Sequence, residues 1–375
     1  MLALGAVGFV LFLFTVVVPA SGPFEVPEYT PGRGVTLSGV VREVGVERTV
    51  SAVGTVVAEQ FTVDVDGRPI STERTYIEGQ IGIVRYEAGD RVLLTARETS
   101  DGIQYGISDR ARTGPLLLLA LLFVLLVLAV GRWHGLGSLL GLLASALVIV
   151  RFVIPGILAG HDPVVIAIIG ALVLVTTTLL LAHGPNLKTA LAIISTAAAL
   201  LITGLLASLT VRVLQLGGLA DDESAQLVAL TDAAVEPQGL LLAGFVIGAL
   251  GVLDDVTATQ VSTVTELRDA NPALGWRELY RRAMNVGRDH VASTVNTLVL
   301  AYAGAALPLL LLIATQGEAL GVLLQRELIA TELARTLAGS IGIVAAVPIS
   351  TALGALVVGR LPGGTTTGES SRYEA

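Results

Sequence analysis

Eight runs of mostly apolar residues punctuate this chain, at 2–20, 114–130, 137–158, 163–181, 189–214, 239–258, 291–314 and 337–358. Each is close to the roughly 20 residues that a helix needs to cross about 30 Å of hydrocarbon. Where water is absent the backbone must satisfy its own polar groups, which leaves helices as the spanning structure for runs of this length. The predicted fold is therefore a membrane all-α helical bundle of about eight spans. Composition agrees, since hydrophobic residues make up 53% of the chain and charged ones 14%, far from the balance of a soluble domain.

Several function classes drop out at once. There is no cysteine, so disulfides, thiolate metal sites and cysteine nucleophiles are excluded. The net charge is −8, and the arginines are scattered among carboxylates instead of forming the basic stripe of a nucleic-acid binder. His134, His161, His183 and His290 fall near span ends on both sides of the membrane, which reads as interface histidines and not as a metal site. No motif calls for a cofactor.

The first run ends in Pro19, Ala20, Ser21 and Gly22, a small-residue exit that a cleaved signal peptide would also show. Its length and the lack of a basic leader favour an uncleaved helix or signal anchor over residues 1–20. Orientation follows the arginines and the single lysine in short loops. With the N-terminus inside, Arg132, Lys188, Arg268, Arg277, Arg281, Arg282, Arg288, Arg360 and Arg372 are cytoplasmic, against Arg151, Arg212, Arg326 and Arg335 outside. The expected location is the bacterial inner (plasma) membrane, with both termini cytoplasmic if the first helix is retained.

Residues 21–113 then lie outside and read as a small extracytoplasmic all-β domain between the first and second spans. Alternation runs through Val35, Leu37, Gly39 and Val41 and through Phe61, Val63 and Val65, the period of a half-buried strand. Asp66-Gly67 is a hairpin signal, and Ala88-Gly89-Asp90 separates strand-like runs at 81–86 and 92–95. A compact barrel or sandwich that packs on the membrane domain or binds a protein partner is expected. The second outer segment, 217–238, carries Asp221, Asp222, Glu223, Asp232 and Glu236 beside Leu227, Leu230 and Val235; it predicts a short amphipathic helix with a solvated acidic face. The polytopic domain covers 114–360. The tail, 361–375, rich in Gly, Thr and Ser, reads as disordered and cytoplasmic.

The chemistry concentrates on two helices. Asp254 and Asp255 follow a hydrophobic stretch that starts near Gly239, which places Asp254 roughly 22 Å along the span, in its inner half. A carboxylate within a span costs roughly 2.5–3.5 kcal/mol on insertion scales when central, so it is kept for pairing or for moving an ion or proton. The helix is predicted to continue, with Leu253, Val256, Val261, Val264 and Leu267 as an apolar stripe opposite Asp255, Thr259, Ser262 and Glu266. Thr257 and Gln260 fall inside the apolar stripe and need partners on a neighbouring helix. Adjacent helical residues point about 100° apart, which argues against a carboxylate dyad and makes Asp255 the favoured acid. The next helix presents Asp289, Ser293 and Asn296 at spacings of four and three, with Thr294 and Thr297 nearby. Antiparallel neighbours put the two polar zones at one depth, so a pocket of Asp254 or Asp255 against Asn296 and Thr297, with Arg288 and Asp289 at its mouth, is expected. Interhelical pairing alone would also explain such residues. Gly244 and Gly248 form a small-xxx-small pair that predicts a close helix contact, while Pro308 and Pro348 interrupt the last two spans.

The blocks Gly248-Ala-Leu-Gly-Val-Leu-Asp-Asp-Val, Asn285-Val-Gly-Arg-Asp-His, Thr294-Val-Asn-Thr-Leu-Val-Leu-Ala-Tyr-Ala-Gly and Gly339-Ser-Ile-Gly-Ile-Val-Ala-Ala-Val-Pro resemble the YibE/F family of bacterial multi-pass membrane proteins, from about Arg132 to Gly359. The resemblance implies a helix, an external β-type domain and a polytopic bundle, and brings no substrate with it. The doubled acid departs from a pattern of one Asp followed by Val, which matches Asp255. The order of parts is also similar to one half of the proton-driven exporters of the Sec and RND types, whose halves have fewer spans.

Two functions follow as expectations. The favoured one is a transport-type protein, not an enzyme, that moves a proton, small ion or solute through the Asp/Asn/Thr cluster. The other is an envelope protein whose helices only anchor and position the β domain in the lipid bilayer for a partner. An intramembrane hydrolase is disfavoured, because neither a facing acid pair nor a Ser-His pair is visible.

Overall fold

The computed structural model describes residues 35–360, apart from 52, 53, 100, 101, 233, 316 and 318. The expected first span and the C-terminal tail fall outside these. The chain divides into two compact units, one within Tyr29–Leu126 and the other from Val127 onward.

The first unit is a five-stranded antiparallel sheet of β1 (Val35–Ser51), β2 (Gly54–Val65), β3 (Arg68–Ile77), β4 (Arg91–Thr99) and β5 (Gly102–Arg110), in the order β3-β2-β1-β4-β5. β1 serves two partners: Val35–Val40 pair with β4 and Val40–Ser51 with β2, and the register shifts between Val41 and Glu43. Such an irregularity bends and twists a strand, and the Thr72 hydroxyl on one edge donates to the Tyr105 carbonyl on the other. The sheet thus curls around a core of Val41, Phe61, Val63, Val65, Tyr86, Val92 and Leu94. Asp66 and Gly67 form the β2–β3 turn with φ of 50° and 81°, the left-handed pair that a tight hairpin requires.

The sheet differs from the sequence expectation in its strands. Residues 81–86 are not a strand: Gly79 and Gly82 take φ of 91° and 89°, Ile81 is exposed, and only Tyr86 enters the core. Alternation there reflects one plug residue, whereas β3 and β5 carry no clear alternation because their outward faces hold Glu73, Thr75, Gln104 and similar residues.

Asp64 accepts hydrogen bonds from the Arg42 guanidinium and the Gly67 N–H. The Arg42 bond, then the Gly67 bond, hold its carboxyl below the usual aspartate range. A folded-state value below the unfolded one gives stability that is present above the unfolded value and lost as pH falls through the folded one. Arg42→Gln is therefore expected to raise the Asp64 titration midpoint, read by carboxyl-carbon NMR; an unmoved midpoint would remove Arg42 as the cause.

Helices follow the sheet, and the boundary between the units falls within the first of them. The run Thr113–Val148 kinks at Arg132 (φ 49°, ψ −126°) and gives α1 (Thr113–Trp133) and α2 (Gly135–Leu158), the latter containing a π turn at Ile149–Val153. Then follow α3 (Pro163–His183), α4 (Leu187–Val213), α5 (Asp222–Leu230), α6 (Pro237–Ala270), α7 (Trp276–Ala305), α8 (Leu307–Thr315), α9 (Leu320–Leu323) and α10 (Glu327–Val358). Six of these, α1, α2, α3, α4, α6 and α10, are long and apolar enough to cross a membrane, or seven if α7 and α8 count as one span bent by 62°. The chain has the character of a multi-pass membrane protein.

The expected span over 291–314 is therefore broken. Pro308 has no N–H to give the Gly304 carbonyl, and the helix ends at Ala305 and restarts at Leu307. Pro348, by contrast, is absorbed within a continuous α10.

α6 is the central element, packed on α3, α4, α7 and α10. Leu253, Val256, Val261 and Val264 are buried along it, and beyond them Lys188 pairs with Glu266 at 3.0 Å. At the opposite end Glu327 accepts the N–H groups of Gly217 and Gly218, tying the start of α10 to the turn after α4. Of the expected glycine pair, only Gly248 is approached closely: a Cβ there would lie 3.0 Å from the Tyr302 hydroxyl, while Gly244 faces open space.

Candidate functional site

A cleft of about 590 Å³ opens between α2, α3 and α6. From α6 it is lined by Asp254, Asp255, Ala258, Thr259 and Ser262; Ser138, Gly141, Leu142 and Ser145 of α2 face them, with Thr178, Leu179, Ala182 and His183 of α3. Asp254 is half-buried and Asp255 exposed, and the Asp254 carboxylate accepts the Asp255 N–H at 2.9 Å. The cleft is broad enough to receive both acids despite the angle between them, so the preference for Asp255 alone is not reproduced.

Two of the lining hydroxyls have a defined polarity. Ser145 donates to the Gly141 carbonyl and Thr178 to the Leu174 carbonyl, each at 2.9 Å. Their protons are held within their own helices, so their oxygens face the cleft as acceptors. Neither Arg nor Lys lines the space. An oxygen-rich wall with two carboxylates suits a proton or a hard cation and repels anions.

The other expected members are arranged differently. Thr257 is fully buried and bonds Thr196 of α4; Gln260, 2% exposed, donates to the Ala283 carbonyl of α7 at 2.8 Å. Both find the neighbouring-helix partners their position demanded, and neither reaches the cleft. Arg288, Asp289, Ser293, Asn296 and Thr297 lie on an exposed face of α7, with Thr294 half-buried. Arg288 bonds Asn285, and Thr297 donates to the Ser293 carbonyl. The expected pocket between α6 and α7 is absent from the cleft lining because α7 meets the bundle through Leu279, Ala283, Gly287 and Leu298. This small, apolar stripe is the side that packs, and it turns the polar stripe away.

Sequence reading missed Ser138, Ser145, Thr178 and His183. Ser138, Gly141 and Ser145 recur at three and four, one helical face, but inside a strongly apolar run this small-residue stripe reads first as helix packing. Among the described residues no group of three or more His, Asp or Glu side chains could hold a metal ion.

Because Gln260 makes its bond wholly inside the bundle, Gln260→Leu is expected to lower stability. Loss of a buried hydrogen bond costs about 1 kcal/mol net, measurable as a lower thermal midpoint in detergent; an unchanged midpoint would show that this bond contributes nothing.

The YibE/F-like protein family matches residues 119–360, which include every helix that lines the cleft. The chain belongs to the YibE/F-like family. No curated protein and no solved structure matches it. For this YibE/F-like protein the matched region begins within α1 and takes in the acid pair, the polar face of α7 and the glycine-rich part of α10.

Proposed function

We propose that this YibE/F-like protein is a transport-type protein of the bacterial inner membrane, which passes a proton or small cation along the cleft between α2, α3 and α6. It is not read as an enzyme. The β unit is taken as extracytoplasmic and both termini as cytoplasmic, following the positive-inside pattern. The observation that carries the reading is the pair of carboxylates on a cleft where the Ser145 and Thr178 hydroxyls are oriented as acceptors and which no Arg or Lys lines. Acids retained inside a spanning helix without a basic partner are the usual mark of an ion or proton route.

The test is reconstitution into vesicles carrying a pH dye, with proton and alkali-cation gradients imposed in turn. Dissipation faster than in protein-free vesicles is expected for one of them; equal rates under every gradient would overturn the reading. The second reading, an anchor that positions the β unit for a protein partner, draws on that unit's own closed core. It expects the β unit on an unrelated membrane anchor to restore a deletion strain, whereas transport through the cleft expects no restoration.

A further inference from the structure

The polar face of α7 is set at a level where the exposed face of neighbouring α10 is apolar. The level is fixed by contacts: Gly287 lies against Val347 and Gln260, Leu298 against Gly339, and Tyr302 against Gly248. Ser293, Asn296 and Thr297 therefore run beside residues 339–347 of α10 and 248–260 of α6. At that level the exposed residues of α10 are Leu337, Ile341 and Val344, a surface suited to lipid. α7 shows lipid an amide and two hydroxyl-bearing residues instead, and Asn296 has no hydrogen-bond partner among the described residues.

Lipid cannot satisfy these groups, and interhelical hydrogen bonds are their usual resolution. Elsewhere in the chain the candidates are few. The apolar run at 2–20 carries a single polar side chain, Thr15. The tail begins just after Gly359, which packs on Trp276 at the far end of α7, roughly 30 Å from Asn296 along the helix.

We infer that the exposed face of α7 binds the same face of a second copy of this chain, with the two-fold axis along the membrane normal. An amide is both donor and acceptor, so Asn296 pairs with its own counterpart. Arg288 and Asp289, one residue apart, pair reciprocally with the partner's Asp289 and Arg288. Ala292, exposed on this side, lets the backbones approach. The inference stands apart from the transport reading, because α7 contributes nothing to the cleft lining.

The chain has no cysteine, so single substitutions report without background. In native membranes under mild oxidant, Ser293→Cys and Asn296→Cys are each expected to give a covalent species of twice 38.7 kDa on a non-reducing gel. Leu205→Cys, exposed on α4, is expected to stay monomeric. Asn296→Leu, which keeps the helix apolar, is expected to shift the detergent-solubilised protein from dimer to monomer. Monomer at both 293 and 296, equal cross-linking at 205, or an intrachain disulfide between Thr15→Cys and Asn296→Cys would each overturn the inference.

Discussion

Replacing both cleft acids, Asp254→Asn with Asp255→Asn, is expected to bring flux in reconstituted vesicles down to that of protein-free membranes. Asparagine keeps the size and the acceptor oxygen of each side chain but cannot titrate or carry the charge that draws a cation. A positioned proton-transferring group is typically worth about 10²- to 10⁴-fold, so the loss should far exceed any effect of repacking. Since both carboxylates border one cleft, the single variants are expected to retain part of the flux, with Asp254→Asn the more severe because that side chain is the less exposed of the two. Gln260→Leu provides the contrast, losing stability while keeping flux, because Gln260 bonds Ala283 and stays out of the cleft. Undiminished flux in the double variant would remove the acids from any route.

The largest effect on assembly is expected from Gly287→Leu. A Cβ at Gly287 would stand 2.5 Å from Val347 Cγ1 and 3.0 Å from both polar atoms of the Gln260 amide. Val347 and Gln260 are buried on two different helices, so α7 would have to lift from α6 and α10 together. Overpacking a well-filled core costs typically about 1–3 kcal/mol, and the Gln260 bond to Ala283 would be lost as well. A markedly lower thermal midpoint and a smaller folded fraction on size exclusion are expected. Gly244→Leu, at a glycine with nothing within 4 Å, should leave both unchanged. If the two substitutions behaved alike, the close approach of α7 would not be what holds this side of the bundle.

Apolar run length made most of the bundle legible, because it answers to hydrocarbon thickness before any tertiary contact forms. Neighbour identity was less legible. α6 carries polar residues in several directions, and periodicity shows which residues share a face without showing which helix covers it. Thr257 and Gln260 were readable as needing partners, and the partners came from α4 and α7. Asp254 and Asp255, by contrast, look toward α2 and α3, helices whose serines and threonine are diluted in apolar sequence. α7 misled because polar residues at spacings of three and four suggest a lining, whereas the packed stripe is Ala283, Gly287 and Leu298. In the β unit, Asp66-Gly67 and the Phe61, Val63, Val65 alternation were sufficient for β2 and its turn, while β3 and β5 were hidden by polar outward faces.

The cleft can be blocked selectively because the chain lacks cysteine. Flux should be measured in Ser262→Cys protein before and after attachment of a bulky thiol-reactive group, beside Leu205→Cys protein treated identically. Ser262 lines the cleft two helical turns beyond the acids, and Leu205 is exposed on α4 away from it. Flux that stops on modification at 262 and continues on modification at 205 is the expected result. Flux that persists through a fully modified residue 262 would contradict passage through the cleft.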